Sequence, residues 1–181
     1  ALGHAELTGD YDRVIGVMTR EVKWRGKLVA AIAPERGETI VDLGSGTGSL
    51  APMIAKAASD IQMIAVDPDP EVHRIAVTKF DAARIDVRQV VALGGDRVDG
   101  LPYEATDKVA SSLVLHQCPL DAKLALLANA YALLKPGGSV FIADYGLQRT
   151  VLMQMLFKQV RALDGYENTK ANKDGMIPIF M

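Results

Sequence analysis

Apolar and polar positions follow two periods along the chain, one typical of strands and one typical of helices. Five short apolar runs bounded by turn residues predict strands over residues 39–43, 62–66, 86–91, 108–114 and 139–143. Apolar residues three and four positions apart predict helices over residues 11–33, 49–58, 70–83, 120–134 and 150–163. Strands that alternate with helices indicate βαβ units. The predicted fold class is therefore α/β, a doubly wound parallel sheet with helices on both faces.

Two of the predicted helices carry apolar faces that we expect to pack into the core. The face after Pro119 consists of Leu124, Leu127, Ala128, Tyr131 and Leu134. The face of the last helix consists of Met153, Leu156, Phe157 and Val160. Asp69 suits an N-cap and Pro70 suits the first helical position, which predicts where the third helix starts. Basic residues in the first helix, Arg25 among them, are interpreted as a solvent-exposed face.

Composition and charge exclude or disfavour several classes of protein. The 181 residues, 49% of them hydrophobic, predict one domain whose core needs no disulfide or metal. The net charge of −2 disfavours nucleic acid as a partner, because nucleic-acid-binding domains are usually basic. Cys118 is the only cysteine, which excludes a disulfide within the chain and a cysteine-built zinc site, and we predict no metal site. Without a span of roughly 20 apolar residues or a signal-peptide pattern, we expect a cytoplasmic protein with no membrane span.

The first predicted strand leads into a glycine-rich turn, Asp42-Leu43-Gly44-Ser45-Gly46-Thr47-Gly48. Because glycine has no Cβ, a ligand can lie against the bare backbone, and the following helix offers free N–H groups. Asp67 ends the second strand, where a carboxylate can accept hydrogen bonds from both hydroxyls of a ribose. The two features predict a site for an adenosine-containing ligand at the carboxyl ends of the strands.

The spacing of the glycines favours S-adenosylmethionine over a dinucleotide. A dinucleotide site prefers G-x-G-x-x-G, since its pyrophosphate sits on the helix end, whereas this chain has G-x-G-x-G followed by Ser49. S-adenosylmethionine has no phosphate and carries an amino-acid end. Asp42 is an acid two residues before the first glycine, where it can face an ammonium group.

Four segments resemble the motifs of the class I S-adenosylmethionine-dependent methyltransferases, most closely their bacterial small-molecule branch. The segments are VDLGSGTGSL at 41–50, AVDPDP at 65–70, KVASSLVLHQ at 108–117 and LLKPGGSVFIADYG at 133–146. They occur in the family's order and at its spacing, and the resemblance covers roughly residues 10–180. It implies a Rossmann-like sheet with strand order 3-2-1-4-5. It also implies S-adenosylmethionine as the cofactor and S-adenosylhomocysteine as the product.

The resemblance assigns cofactor contacts position by position. It implies that Gly44, Ser45 and Gly46 contact the cofactor through their backbone. Asp67 is the position that holds the ribose in relatives, and Pro68 is the position beside the adenine.

Further contacts implied by the resemblance lie around the two ends of the cofactor. Ser111 and Ser112 leave the fourth strand near the methionine end, and Tyr11 resembles a tyrosine that closes over the cofactor. Relatives often bond the adenine amino group with an acid four residues before a Leu-Pro pair. In this chain Asp96 is the nearest acid, one residue further from Leu101-Pro102, so an insertion or a different adenine contact is expected.

The implied chemistry is an in-line attack on a methyl group that the sulfonium already activates, so the enzyme mainly supplies alignment. A general base is needed only where the attacking atom must lose a proton. His116, past the fourth strand, is the candidate base, and its alternative is a structural role at a strand end. Asp144, after the fifth strand, suits either the substrate pocket or a helix cap.

The absence of certain motifs disfavours several classes of methyl acceptor. The chain has no Asn/Asp-Pro-Pro-Tyr/Phe element for amino groups of nucleic-acid bases, and no Asp-Asn pair after the fifth strand for the metal-dependent catechol type. A single cysteine excludes an arsenic methyltransferase built on several thiols. A small-molecule or lipid-like acceptor is therefore expected. The alternatives are an NAD(P)-dependent oxidoreductase, which the glycine spacing disfavours, and a non-catalytic protein that binds S-adenosylmethionine.

We expect one methyltransferase domain over residues 1–181. Its parts are an N-terminal helical cap at 1–35, a cofactor-binding core at 36–146 and a C-terminal helix and tail at 147–181. The family core usually ends in a hairpin of strands 6 and 7, which has no counterpart here, so the fifth strand should have an open outer edge. Three explanations stay open: a truncated chain, a tail beyond the given sequence, or a short form that pairs with a second copy through this edge.

Overall fold

The computed structural model describes residues 21–181. Its strands are β1 (Thr39–Leu43), β2 (Gln62–Asp67), β3 (Val87–Val91), β4 (Thr106–Ser112) and β5 (Leu134–Ala143). Its helices are α1 (Glu21–Ile32), α2 (Ala51–Ala57), α3 (Pro70–Ala83), α4 (Leu120–Leu133), α5 (Val151–Asp164), α6 (Lys170–Lys173) and α7 (Ile177–Phe180). A 3-10 turn, Leu115–Gln117, connects β4 to α4.

The five strands form one parallel sheet in the order β3-β2-β1-β4-β5, which confirms the predicted fold class and strand order. β1 lies at the centre, and Asp42 pairs with Ala65 on one side and with Ala110 on the other. The order reverses between β1 and β4, so the carboxyl ends of these strands flank the crevice where α/β sheets bind ligands.

Helices cover both faces of the sheet because its short strands are apolar on both sides. One core cluster joins the Ile40 side of β1 to α1, α2 and α3, and the second joins the Val41 and Leu43 side to α4 and α7. The side chains of Ile40, Val41 and Leu43 are fully buried. The second core also includes Ile177, which anchors the end of the chain.

The predicted start of the third helix is confirmed. The side chain of Asp69 accepts a hydrogen bond from the backbone N–H of Glu71 at 2.9 Å, and Pro70 is the first helical residue. α3 ends at Arg84, which adopts the left-handed conformation with φ of 54°. His73 of α3 lies with its Nε2 3.0 Å from the backbone carbonyl of Asp67, so this helix helps to fix the position of Asp67.

The strands at the outer edge differ from their predicted bounds. β4 begins at Thr106 rather than 108 and ends at Ser112, while β5 begins at Leu134, before the Pro-Gly-Gly turn that we expected to precede it. Pairing starts between Thr106 and Leu134, and an irregularity follows before Lys108 pairs with Ser139. Within residues 21–181, no strand pairs with the outer edge of β5, as predicted. Residues 165–181 contain no strand either, but they form two short helices that the sequence did not predict.

Both predicted apolar faces are partly wrong. In α4, Leu124 is 44% and Tyr131 is 79% exposed, because the helix is rotated relative to the predicted face. The buried face of α4 consists of Lys123, Leu126, Leu127, Asn129, Ala130 and Leu133. In α5, Phe157 is the one buried residue, and Met153 and Leu156 are exposed. Apolar residues surround α4 on most sides, so spacing alone does not identify its inner face.

Candidate cofactor and acceptor site

The carboxyl ends of β1 to β4 meet around a cavity of about 400 Å³, within the usual size range of small-molecule sites. The segments that follow these strands supply most of the wall, at residues 44–47, 67–69, 93–96, 112–114 and 116–118. α1 contributes Glu21 and Arg25, and Tyr145, two residues after β5, also lines the cavity. The helices α3 and α4 complete the wall with Val72, Ala122, Ala125 and Leu126. The site therefore lies where the parallel sheet predicts it.

The glycine turn leaves room that a side chain would fill. Gly44 has φ of 75°, and a Cβ at this position would overlap the side chain of Val114. Gly48 has φ of 73°, and a Cβ there would collide with Ala76 and Phe80 of α3. Gly44 thus forms the floor of the cavity against the β4 exit, and Gly48 lets the turn pack on α3. Both positions require glycine for conformation and for space.

Asp67 lies at the cavity wall and is tied to the glycine turn. Its Oδ2 accepts a hydrogen bond from the backbone N–H of Gly46 at 2.9 Å, and its Oδ1 accepts one from Asp69 at 3.1 Å. A carboxylate has about four acceptor positions, so lone pairs remain for two ribose hydroxyls. The backbone of the turns after β1 and β2 therefore holds the carboxylate that the sequence predicts to bind a ribose.

Asp42 lies in β1 and is only 2% exposed. Its Oδ1 has no hydrogen-bond partner among residues 21–181. Burial raises the pKa of Asp42 to about 7, while the charge of Arg25 opposes this shift and that of Asp67 adds to it. A buried carboxylate oxygen without a partner is costly. Asp42 is not part of the cavity wall, which begins two residues later at Gly44, and a cationic group in the cavity would lie beside this end of β1.

Ser45 provides a second sign that the turn is built for a ligand. Its Oγ is buried and has no hydrogen-bond partner within the described part of the chain, although the residue lines the cavity. Together with Asp42, this leaves two unsatisfied polar atoms at the exit of β1. A polar ligand with an amino-acid end fits these residues, as S-adenosylmethionine does.

Arg25 lines the same cavity, so the interpretation of its helix face as simply solvent-exposed is wrong at this position. Its Nε donates to Glu21 at 2.6 Å, and its Nη1 donates to the Oγ of Ser112 at 3.3 Å. Its guanidinium also stacks over the ring of Trp24 at 4.5 Å. A rigidly held cation therefore lies near Asp42. No local pattern in the sequence distinguishes Arg25 from the other basic residues of α1.

The other predicted cofactor residues divide into those at the cavity and those away from it. Pro68, Asp96 and Ser112 line the cavity. Ser111 is 1% exposed, and its Oγ donates to the backbone carbonyl of Leu43 at 2.7 Å, so its side chain holds β4 to β1. The predicted role of Tyr11 falls outside residues 21–181. No cluster of three potential metal ligands occurs within that range.

His116 lies on the cavity wall beside Asp144. Its Nδ1 is 2.7 Å from Oδ1 of Asp144, and its backbone N–H donates to Oδ2 of the same carboxylate at 3.2 Å. The ring also meets Tyr145 edge to face, with centroids 4.9 Å apart. The 3-10 turn after β4 and the end of β5 bring these three residues together. Asp144 therefore orients His116 rather than capping a helix.

The protein has a Rossmann-like sheet with a cavity at the exits of β1 and β2. Residues 40–138, more than half of the chain, match the family model described as methyltransferase domain. The chain belongs to the class I S-adenosylmethionine-dependent methyltransferase family.

Several curated relatives match most of the chain. An uncharacterised methyltransferase of Geobacillus kaustophilus is 24% identical over 137 residues, covering 75% of this chain and 60% of the relative. An arsenite methyltransferase of Halobacterium salinarum is 36% identical, with coverages of 65% and 29%. A mouse tRNA N(3)-cytidine methyltransferase is 30% identical, with coverages of 76% and 48%. The chain thus spans less than two thirds of the length of these relatives.

Solved structures share the fold at low sequence identity. A chain of Methanococcus maripaludis, named as an S-adenosyl-L-methionine-dependent methyltransferase, has a TM-score of 0.65 at 18% identity, covering 91% of this chain and 75% of that one. The Haemonchus contortus phosphoethanolamine N-methyltransferase 2 complex with phosphomonomethylethanolamine and S-adenosylhomocysteine has a TM-score of 0.63 at 21% identity, with coverages of 83% and 36%.

The family match favours the methyltransferase interpretation over the oxidoreductase alternative. Such an oxidoreductase would need a catalytic Tyr-x-x-x-Lys pair. This spacing occurs in the chain at Tyr166 and Lys170, but neither residue lines the cavity. Tyr166 is 56% exposed and stacks on Arg161. The relatives are named for acceptors as different as arsenite and tRNA cytidine, so they do not support the sequence-based exclusion of nucleic acid.

Proposed function

We propose that the protein transfers a methyl group from S-adenosylmethionine to a small or lipid-like molecule that bears a hydroxyl group, with His116 as the general base. The observation that carries this proposal is the 2.7 Å contact between His116 Nδ1 and Asp144 Oδ1 at the wall of the cofactor cavity. S-adenosylmethionine supplies a methyl group activated on a sulfonium. The residues of this chain supply alignment and take up the proton.

The nucleoside part of the cofactor is assigned to the exits of β1, β2 and β3. Asp67 accepts hydrogen bonds from the ribose hydroxyls with the lone pairs that Gly46 and Asp69 leave available. Pro68 lies beside the adenine, and Asp96 of the next segment faces its amino group. The placement of all these residues along one cavity wall supports the assignment.

The amino-acid end of the cofactor is assigned to a pair of opposite charges. Asp42 takes the ammonium group through its unpartnered Oδ1, and Arg25 takes the carboxylate. Guanidinium groups bind carboxylates with well-defined geometry, and the existing bond from Arg25 to Ser112 orients it toward the β4 exit. This pair would distinguish an intact amino-acid end from a cofactor fragment without one.

The proposed base depends on which nitrogen of His116 carries hydrogen. A carboxylate only accepts hydrogen bonds, so Asp144 favours hydrogen on Nδ1 and leaves the lone pair on Nε2. Nε2 takes the proton of the acceptor hydroxyl as its oxygen attacks the methyl group. Asp144 then stabilises the positive imidazolium. An acceptor that loses no proton would not need His116 and Asp144 as a base. The presence of this pair therefore favours a hydroxyl as the acceptor group.

A small acceptor is favoured by cavity size and by charge. The cavity of about 400 Å³ suits a small-molecule site, and the net charge of −2 gives little attraction for a polyanion. Leu113, Val114 and Ala122 line the cavity near His116 and add apolar surface. These features favour an organic hydroxyl compound over tRNA.

A homodimer through the sheet edge is part of the proposal. Within residues 21–181, β5 pairs only with β4, which leaves its outer backbone groups available to a second copy. Sedimentation across a hundredfold range of concentration tests this. A dimer that Val140→Pro in β5 converts to monomer supports edge pairing, whereas a monomer at every concentration contradicts it.

The cofactor assignment is tested by ligand-induced stabilisation. S-adenosylhomocysteine at 100 times its dissociation constant should add about 2.7 kcal/mol to the free energy of unfolding, and NAD and NADP should add none. Stabilisation by NAD alone would contradict the proposal. This measurement needs no knowledge of the acceptor.

The transfer reaction is tested with radiolabelled S-adenosylmethionine. The acceptors are a panel of hydroxylated aromatics and lipids, with tRNA as a separate arm. His116→Gln should lower kcat by about a hundredfold or more, and Asp144→Asn should also lower it, with little change in affinity for S-adenosylhomocysteine. The control is Tyr131→Phe, which changes an exposed ring of α4 outside the cavity wall. Transfer to tRNA alone would contradict the proposed acceptor class.

A further inference from the structure

Lys123 joins two separate parts of the chain from a buried position in α4. It is 1% exposed, and its Nζ donates to the backbone carbonyls of Leu115, Cys118 and Asn168, the last two at 2.6 and 2.7 Å. The first two carbonyls belong to the turn that carries His116, and the third belongs to the segment after α5. Burial lowers the pKa of Lys123, and three carbonyl dipoles compensate for its lost hydration.

Asn168 joins the same two parts from the other side. Its Nδ2 donates to the carbonyl of Gln117 at 3.1 Å and to that of Asp164 at 2.9 Å. The 164–169 segment, from the last residue of α5 to the start of α6, is therefore held to the His116 turn by two side chains. None of these bonds involves the cofactor wall formed by β1 and β2.

The clamped segment brings a second carboxylate to His116. Oδ2 of Asp164 lies 3.5 Å from Nε2, opposite the 2.7 Å contact of Nδ1 with Asp144. Burial raises the pKa of Asp164, which His116 opposes and the charge of Asp144 reinforces. The Asp164 side chain is 16% exposed, against 4% for His116.

We infer that the 164–169 segment supports the proposed base from outside the cavity: Lys123 and Asn168 clamp it to the turn of His116, so that Asp164 acts as a second positioning residue for the imidazole. The inference rests on the proposed role of His116. Five groups face or hold the imidazole from the elements around it. Asp144 and Tyr145 follow β5, and Asp164 ends α5. The side-chain amide of Gln117 lies 3.5 Å from Nε2, and Lys123 of α4 acts through the carbonyl of Leu115.

The test reads the hydrogens on the His116 ring by long-range ¹H–¹⁵N NMR of the full chain at pH 7, with and without S-adenosylhomocysteine. The sequence has three histidines, and His116→Gln identifies the pattern of His116. Asp164→Asn keeps the side-chain shape but removes its charge. The pattern of hydrogens on the ring should change, because the charge that faces Nε2 is removed.

Two variants test the clamp and one serves as a matched control. Asn168→Leu and Lys123→Met should shift the ring pattern in the same direction as Asp164→Asn and leave affinity for S-adenosylhomocysteine within about twofold. Asn168 is half-buried, so its variant keeps the test available if Lys123→Met does not fold. Glu167→Gln removes an exposed carboxylate from the same segment and should change nothing.

The outcomes separate this inference from the proposed function. If the Asp164→Asn spectrum matches that of Glu167→Gln, Asp164 does not position His116 and the inference is wrong. A folded Asn168→Leu variant with an unchanged ring pattern would equally overturn the clamp. Failure of methyl transfer or of cofactor binding would count against the proposed function alone, because the ring readout requires neither an acceptor nor a bound ligand.

Discussion

The Nδ1 atom of His116 lies 2.7 Å from Oδ1 of Asp144, and neither side chain is more than 4% exposed. The two residues are 28 positions apart and follow β4 and β5, which are neighbours in the sheet. The same carboxylate also accepts from the backbone N–H of Tyr145 at 2.6 Å. Backbone bonds thus fix the carboxylate, and the carboxylate fixes the imidazole. The orientation of His116 is a property of the sheet rather than of the turn alone.

Asp67→Asn should weaken the binding of S-adenosylhomocysteine by about ten- to a hundredfold, because hydrogen bonds to a charged acceptor contribute about 1.5–3 kcal/mol. Isothermal titration calorimetry measures the change. Asp81→Asn removes an exposed carboxylate from α3 and should bind as tightly as the unmodified chain. Equal affinities for the two variants would exclude Asp67 from the ribose site.

Gly44→Ala should destabilise the protein by about 2 kcal/mol or more, since the new methyl group overlaps Val114 and the backbone has φ of 75°. Gly37→Ala is the matched control. It has φ of 84°, but a Cβ there meets nothing within 4 Å, so it reports the conformational cost alone. Urea unfolding gives both values. A loss at Gly44 no greater than that at Gly37 would contradict the close approach to Val114.

The affinity for S-adenosylhomocysteine should fall as the pH drops below 7. Asp42 has its pKa raised to about 7, and only its charged form pairs well with the ammonium group of the ligand. The dissociation constant should rise by up to about tenfold per pH unit below this value. Calorimetry at pH 5.5 to 8 measures it. Asp42→Asn should bind S-adenosylhomocysteine more weakly at pH 8, and its affinity should no longer depend on pH. The same pH dependence in both proteins would show that Asp42 does not pair with the ammonium group.

The same carboxyl should make the ligand-free protein less stable as pH rises from about 4 to 7. The pKa of Asp42 is raised from 3.8 to about 7 on folding, so the folded state keeps a proton that the unfolded chain has lost within this window. The contribution reaches about 1.4 kcal/mol per pH unit at most and is constant above 7. The difference in unfolding free energy between Asp42→Asn and the unmodified chain should therefore grow through this window. A difference independent of pH would show that Asp42 titrates normally.

Arg25→Gln should weaken the binding of S-adenosylhomocysteine by about tenfold but leave that of methylthioadenosine unchanged, because the smaller ligand has no carboxylate for Arg25 to pair with. Fluorescence or calorimetric titration with both ligands measures the two affinities. Lys27→Gln, at an exposed position of the same helix, is the control. Equal losses for both ligands would indicate that Arg25 only supports the fold.

Local patterns predicted the fold and the nucleoside side of the site. The glycine turn and the strand-end acid Asp67 lie within single βα units, so their spacing carries the geometry directly. The bounds of β1 were correct at both ends, and those of β4 shifted by two residues because its pairing with β5 starts at Thr106. Strand order followed from the resemblance and from the handedness rules that limit parallel sheets.

The remaining site residues come together only through tertiary structure. Arg25 was assigned to solvent because its helix shows charged residues at many positions, and only the docking of α1 brings it to the β4 exit. Lys123 occupies a buried position of α4 that the predicted apolar face of this helix did not include. Asp164 reaches His116 across 48 residues of chain, a relationship that no local spacing encodes.

At Gly44 the turn presents its backbone to the cavity, which limits how the site can diverge or be engineered. A peptide group has no side-chain identity to exchange, and Gly44 and Gly48 tolerate no larger residue. Altered preference for cofactor analogues must therefore come from the flanking charged residues. Libraries aimed at enlarged cofactors should vary Arg25 and Asp42 and leave the turn intact.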